Sequence, residues 1–159
     1  MVTSSQSSAQ TNVPSDISQE LSAFNALTTD EKLGLLWVLY DNMGSSVTPA
    51  APGATGVQMT KGLLDEVTAM EESAQMAFMR DLVNHTSTEQ TKAYGKFTED
   101  NKLAFWYELA VGMAAGDIIQ VPADYEMSGA TSQAFTATTA LNFNQQITLL
   151  RHAVIEMGA

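Results

Sequence analysis

Two stripes of aromatic and aliphatic side chains at helical spacing are the features of this sequence best suited to chemistry. Each stripe falls on one face of a predicted helix, by the spacing of three, four and seven residues. The first holds Leu33, Trp37 and Tyr40, and the second holds Leu103, Trp106, Tyr107 and Ala110. Buried aromatic stripes are ordinary core material, and they also suit the lining of an elongated apolar slot. The pattern alone leaves both interpretations open.

Methionine is frequent as well, with nine in 159 residues. Its flexible thioether adapts to irregular apolar partners, so it serves equally as a core filler or as a ligand contact. The small residues within 50–54 would let a ligand approach the backbone closely, or they simply form a tight turn.

Arg151 is the residue that fits its surroundings least well. It falls inside an apolar stripe of the last predicted helix, formed by Ile147, Leu150, Val154 and Met157. A buried and unpaired guanidinium is very costly. Two interpretations follow: the stem packs while the head reaches water or an acid, or this face docks a partner, since Arg is enriched at interfaces.

Catalysis has little support in the sequence. His85 and His152 are the only imidazoles, and neither lies in a metal-binding or nucleophile motif. Cysteine is absent, which excludes disulfides, thiol catalysis and thiolate metal sites. We therefore predict no enzyme, no catalytic residue and no metal site. An enzyme acting on an apolar substrate is the weakest alternative, and loss of turnover on replacing either histidine would be its minimum support.

Eight helices are predicted to position these residues, because strict two-residue alternation is sustained nowhere. They cover about 16–27, 31–43, 60–70, 72–84, 88–96, 99–115, 130–140 and 143–157. A loop with two Pro and two Gly is predicted over 45–56. Residues 1–15 are rich in Ser, Gln and Thr and are predicted to form a flexible arm, with a single helical domain over 16–159.

Capping residues mark several of these helix ends. Thr28 with Glu31 and Asn142 with Gln145 have the spacing of capping boxes, and Thr98 is a suitable N-cap. Glycines that suit the position after a helix are predicted to end three of the helices, at Gly44, Gly116 and Gly158.

The charge of the chain excludes several classes of partner. There are 18 acidic and 7 basic residues, for a formal net charge of -11. Such a surface repels nucleic acids and anionic membranes. Residues 1–15 lack the basic start and apolar run of a secretory signal, and no apolar run is long enough to span a membrane.

Four segments together resemble the N-terminal carotenoid-binding domain of the orange carotenoid protein family, and in particular its single-domain helical carotenoid proteins. They are LLWVLYDNMG (35–44), APG (51–53), NKLAFWYEL (101–109) and QQITLLRHAVIEMG (145–158). Their order and spacing match that domain, and the resemblance runs from about residue 17 to the end of the chain. It implies an all-α fold of two interleaved four-helix bundles forming one domain.

The resemblance also implies a ligand and its site. A ketocarotenoid of the canthaxanthin, echinenone or 3'-hydroxyechinenone type would lie in an apolar channel between the bundles, where apolar burial supplies most of the affinity. The aromatic contacts implied are Trp37, Tyr40, Trp106 and Tyr107. The other implied lining positions are Leu33, Gly53, Val57, Met70, Met79, Leu103, Val121, Tyr125, Ile147 and Val154, and Arg151 completes the predicted site.

The implied function is that of a water-soluble carotenoid-binding photoprotective protein. It would quench singlet oxygen, excess phycobilisome excitation, or both, in the cytoplasm and in association with the cytoplasmic face of the thylakoid through the phycobilisome. Arg151 matches an Arg that bridges to a second domain in two-domain members and helps dock the phycobilisome. Asp100 stands where those members carry an Asn that contacts the second domain.

The chain ends at Gly158-Ala159 without the second domain of the two-domain members. We therefore expect no photoconversion, and a separate C-terminal-domain homologue that delivers carotenoid is a further implied partner. The alternative from another class is a pigment-free helical interaction module with Arg151 at its interface. That alternative predicts a packed core with no long channel.

Overall fold

The fold is taken from a computed structural model that describes residues 16–43, 54–121 and 125–159, with backbone only over 54–59. The described residues form helices and no strand, which confirms the all-α class. The helices are α1 (Ser18–Asn25), α2 (Thr29–Met43), α3 (Ala54–Thr68), α4 (Glu72–Asn84), α5 (Glu89–Gly95), α6 (Glu99–Ala115), α7 (Gly129–Thr139) and α8 (Phe143–Ile155). The predicted arm, the stop at Gly44 and most of the predicted loop lie outside the described residues.

The predicted capping residues are confirmed at three helix starts. At α2, the Glu31 N–H donates to the Thr28 hydroxyl at 3.2 Å, and the Thr28 N–H donates to the Glu31 carboxylate at 2.9 Å. Thr98 accepts from an N–H of the first turn of α6, and Asn142 and Gln145 form the reciprocal pair at α8. These local signals fix where three of the helices begin.

Two predicted boundaries are wrong. α3 begins at Ala54, within the segment 45–56 that was predicted as a loop. Small residues such as Gly56 are tolerated in the first turn of a helix, where fewer intrahelical hydrogen bonds are lost, so they do not by themselves mark a loop. α8 ends at Ile155, with Glu156 as its C-cap, and not at Gly158.

Gly158 packs closely against α4 and α5 and does not end a helix. Its φ is +91°, and a Cβ at this position would lie 2.8 Å from Cδ1 of Tyr94. Its N–H donates to the Leu82 carbonyl at 3.0 Å, and its carbonyl lies 3.0 Å from Nδ1 of His85. Glycine is therefore required for close packing against α4 and α5.

Helices distant in sequence pack side by side. α6 lies against α8 and α3, α2 lies against α4, α7 and α6, and α1 lies against α7 and α8. This interleaving places one large apolar cluster at the centre, and a small cluster of Ile17, Leu21 and Leu149 joins α1 to α8. The arrangement brings the two predicted aromatic stripes, on α2 and α6, to face the same space.

Candidate ligand-binding cleft

An apolar cleft of about 320 Å³ lies between α2, α4, α6 and the connector that joins α6 to α7. Seven of the residues predicted from the sequence line it together. They are Leu33, Trp37, Tyr40, Met79, Trp106, Val121 and Tyr125. The stripes on α2 and α6 thus border an open space, while ligand contact by these side chains stays a prediction.

A second cavity of about 240 Å³ lies beside the cleft, between α2 and α6. The two cavities share Trp37, Tyr40 and Ala110, and the second adds Tyr107 and Val111. From the first turn of α2 to its last turn, at 1.5 Å of rise per residue, the two cavities extend along about 16 Å of helix. The two cavities thus lie next to each other along the contact of α2 with α6.

The remaining predicted site residues lie elsewhere. Leu103 and Val154 are buried in the core, and Met70 and Ile147 are partly buried against it, so none of the four lines either cavity. Gly53 and the side chain of Val57 lie outside the described residues. A role for these positions in ligand binding stays a prediction.

Two of the aromatic side chains that wall the cleft, Tyr40 and Trp106, have their polar atoms paired within the core. The Tyr40 hydroxyl donates to the Leu103 carbonyl at 3.1 Å, and Nε1 of Trp106 donates to the Tyr94 hydroxyl at 3.1 Å. The Tyr94 hydroxyl donates in turn to the Val154 carbonyl. Burial raises the pKa of both Tyr40 and Tyr94. An apolar ligand that contacts the Tyr40 and Trp106 rings would therefore leave neither of their polar groups unpaired.

One end of the cleft carries an ion pair that the sequence analysis missed. Arg80 of α4 donates to both carboxylate oxygens of Asp30 of α2, at 2.9 and 3.2 Å, and these hydrogen bonds raise the pKa of Arg80. Both residues border the cavity, and so does the Gln120 side chain. The only available signal was that Arg80 follows Met76 by one helical turn, on the face that also carries Met79.

The connector wall is held at both ends by hydrogen bonds. The Gln75 side chain is only 2% exposed; its oxygen accepts from the Ile119 N–H at 2.7 Å, and its nitrogen donates to the Val67 carbonyl at 3.1 Å. At the other end, the Ser128 hydroxyl donates to the Glu31 carboxylate at 2.6 Å. That bond, together with the bond from the Thr28 N–H, lowers the pKa of Glu31. Ile119 is thus anchored to α4, and Ser128 is anchored to α2.

Arg151 lies away from the cleft and pairs with Asp100 on α6. About a third of its side chain is exposed. The interpretation that its head pairs with an acid is confirmed, and its predicted docking role stays a prediction. Within the described parts of the chain, no cluster of three or more His, Asp or Glu side chains could hold a metal ion. None of the described helices has the length and apolar character needed to cross a membrane.

Residues 10–159 match the family described as orange carotenoid protein, N-terminal. The chain belongs to this family. It is 42% identical, over 142 residues, to an orange carotenoid-binding domain-containing protein of Nostoc sp. PCC 7120, covering 89% of this chain and 83% of the relative. It is 36% identical, over 138 residues, to an orange carotenoid-binding protein of Synechocystis sp. PCC 6803, covering 87% of this chain but only 44% of that longer relative.

Solved structures of family members share the fold. The Red Carotenoid Protein of Anabaena (Nostoc) sp. PCC 7120 binding canthaxanthin superposes with a TM-score of 0.79 at 33% identity, covering 91% of this chain and 99% of that one. The Orange Carotenoid Protein of the same organism binding canthaxanthin gives 0.84 at 32% identity, covering 94% of this chain and 47% of that one. The predicted family and fold are confirmed.

Proposed function

We propose that this protein binds a ketocarotenoid in the cleft between α2, α4 and α6. The observation that carries the proposal is a cleft walled by Trp37, Tyr40 and Trp106, in which the Tyr40 hydroxyl and Nε1 of Trp106 are paired within the core, in a family with members that bind canthaxanthin. These walls offer a conjugated chain apolar and aromatic contact.

The two neighbouring cavities support this ligand class, because they lie in succession along α2 and α6. A carotenoid is long, narrow and rigid, and it would pass from the first cavity to the second across the surface shared by Trp37, Tyr40 and Ala110. Burial contributes roughly 25 cal/mol for each Å² of apolar surface removed from water, so two such cavities supply strong binding. Met76 and Met79 add adaptable contacts along the α4 wall.

The proposed role of the bound pigment is photoprotection, by quenching singlet oxygen, excess phycobilisome excitation, or both. The pigment supplies the electronic states for that chemistry. The protein residues hold the polyene, exclude water and set the polarity around it. Arg151 is already paired with Asp100, and the net charge is -11, which disfavours docking to an acidic antenna. These two observations favour oxygen quenching over antenna quenching.

The proposed partners follow from the same surface. A phycobilisome, or a separate C-terminal-domain homologue that delivers carotenoid, would contact the face of Arg151 and Asp100, which is accessible on α8 and α6. We propose a cytoplasmic location, with association with the cytoplasmic face of the thylakoid if the phycobilisome is bound. The pigment-free interaction module predicted a packed core, and the cleft between α2 and α6 disfavours that alternative.

The test is to express the protein in a host that makes ketocarotenoids, purify it, and record its visible spectrum beside the Nostoc Red Carotenoid Protein. We expect a broad orange-to-red band and about one extractable ketocarotenoid per chain. A folded, helical but colourless protein, in a host where the relative is coloured, would overturn the proposal and favour the interaction module.

Singlet-oxygen quenching and antenna quenching are separated by a second measurement on the coloured protein. The decay of singlet-oxygen luminescence is expected to shorten when the pigmented protein is added, with the pigment-free protein as control. Phycobilisome fluorescence is expected to change little. Strong fluorescence quenching without an effect on singlet oxygen would reverse this assignment.

A further inference from the structure

Gly34 is an unfavourable residue for its position in α2. It lies inside the helix, five residues after Thr29 and nine before Met43, and its φ is not positive. Inside a helix, glycine is more destabilising than any residue except proline. Its reason for being there must therefore come from outside the helix. Gly34 is also one of the residues that line the cleft.

Tyr125 of the connector supplies that reason. A Cβ at position 34 would overlap the Tyr125 hydroxyl oxygen and would lie 2.8 Å from Cζ of the same ring. Atoms that belong to the aromatic ring cannot move aside unless the whole ring moves. Gly62 of α3 gives the contrast, because a Cβ there would meet no atom within 4 Å.

Tyr125 is itself part of the cleft wall, and the connector that carries it is anchored on both sides. Gln75 holds Ile119, and Glu31 holds Ser128. A side chain at position 34 would therefore displace the Tyr125 ring and not the whole connector. Partial burial, with a smaller contribution from the Glu31 carboxylate, raises the pKa of Tyr125, so its hydroxyl stays neutral beside an apolar ligand.

We propose that Gly34 is a specificity-determining residue of the cleft, because its bare backbone lets the Tyr125 ring lie against α2 and thereby sets the width available to a flat conjugated ligand. The inference rests on the proposed carotenoid binding and adds to it the pair of residues that shapes one wall. Gly34 acts through Tyr125 and is in this sense a positioning residue.

The test is a double-mutant cycle of wild type, Gly34→Ala, Tyr125→Ala and the double variant, with Gly62→Ala as the matched control. Each protein is expressed in the ketocarotenoid host, and pigment per chain, absorption maximum and the Tm of the pigment-free form are measured. We expect Gly34→Ala to bind about tenfold less pigment, as for an overpacked site, or to shift the absorption maximum. Gly62→Ala is expected to match wild type in pigment and spectrum.

The cycle also tests the mechanism. In the Tyr125→Ala background, Gly34→Ala is expected to cause no further loss of pigment, because the ring that it displaces is absent. The pigment-free Tm of that double variant is expected to equal or exceed that of Tyr125→Ala, since alanine favours the helix. Should Gly34→Ala alone not fold, this comparison between the two Tyr125→Ala proteins still decides the matter.

Three outcomes would overturn the inference in distinguishable ways. If Gly34→Ala keeps the pigment and spectrum of Gly62→Ala, the width of the cleft does not depend on position 34. If Gly34→Ala causes equal loss with and without Tyr125, the effect does not act through that ring. If wild type takes up no pigment while the Nostoc relative does, the proposed carotenoid binding fails and the specificity role fails with it.

Discussion

The core between α4, α5 and α6 and the cleft between α2, α4 and α6 are built from the same residue types and differ in what faces them. In the core, Phe78, Tyr94, Phe97 and Phe105 contact one another, with ring centroids 5.7 to 6.1 Å apart. In the cleft, aromatic rings from α2 and α6 face an open space. Aromatic content therefore does not distinguish a packing surface from a binding surface, and the opposing side chains do.

Trp106 belongs to both regions. Its ring lines the cleft, while its Nε1 donates into the core to Tyr94, whose hydroxyl bonds to α8. The core thereby fixes the orientation of one cleft wall. We therefore expect substitutions confined to the core to lower stability and substitutions confined to the cleft to lower ligand binding. A substitution at Trp106 should lower both.

The largest effect is expected in the core. Phe105→Ala should lower the free energy of unfolding by about 3–5 kcal/mol, because the fully buried ring contacts three other aromatic rings. Urea unfolding followed by circular dichroism measures this change. Phe143→Ala is the control, since that ring is 46% exposed and its loss should cost less than about 1 kcal/mol. Equal losses in the two variants would contradict the assignment of the core.

The stability of the protein at alkaline pH depends on one buried tyrosine from each region, Tyr40 at the cleft wall and Tyr94 in the core. Burial raises the pKa of both above the ordinary value of 10.0. Each protonated hydroxyl makes its full contribution to the free energy of unfolding below that value. The contribution is lost as the pH rises above it, because only the unfolded chain then releases these protons. The free energy of unfolding should begin to fall near pH 10, and its slope should approach about 1.4 kcal/mol per pH unit for each tyrosine well above that pH.

Urea unfolding between pH 9 and 11 measures this slope, and Tyr40→Phe should reduce it because the Tyr40 hydroxyl no longer contributes. An unchanged slope in Tyr40→Phe would show that the Tyr40 hydroxyl, at the wall of the cleft, is hydrated. The cleft wall and the core would then differ in hydration as well as in packing.

A smaller effect on stability is expected at the cleft. Trp37→Ala should cost only about 1 kcal/mol, because its partly buried ring borders a cavity and has few groups on that side to leave unpacked. It should nevertheless remove most of the bound pigment. Thermal unfolding of the pigment-free protein and the visible spectrum are measured together. A loss of several kcal/mol would assign Trp37 to the core instead.

The smallest effect is expected at the end of the cleft. Asp30→Asn removes one partner of the exposed ion pair with Arg80 and should change the free energy of unfolding by less than about 1 kcal/mol. The change should shrink further in 0.5 M salt, since exposed pairs are screened. A large effect that persists in salt would mean that this pair closes the cleft and does not merely border it.

Local signals account for what the sequence predicted well. The caps at Thr28, Thr98 and Asn142 depend on residues three positions apart, and the stripe of Leu33, Trp37 and Tyr40 depends on helical spacing. A single chain segment contains all the information for such features. The family resemblance supplied the fold and Val121 and Tyr125, which no periodicity marks.

Features that depend on distant segments were not predicted. The Asp30–Arg80 pair joins residues about fifty positions apart, and the contact of Gly34 with Tyr125 joins a helix to an irregular connector. Gly158 was assigned to a helix end, although its backbone serves the packing against Tyr94. In each case the partner is defined only once the helices have packed.

The buried side chain of Gln75 has a consequence for the rates at which a ligand could enter and leave the cleft. One amide joins the end of α3, the body of α4 and the wall of the cleft at Ile119. A rigid polyene cannot bend around an obstruction, so loading and release through this wall would require buried hydrogen bonds to break together. Breaking these bonds would raise the barriers to loading and to release by the same amount, and the pigment would then exchange slowly even where a competing acceptor binds it more tightly.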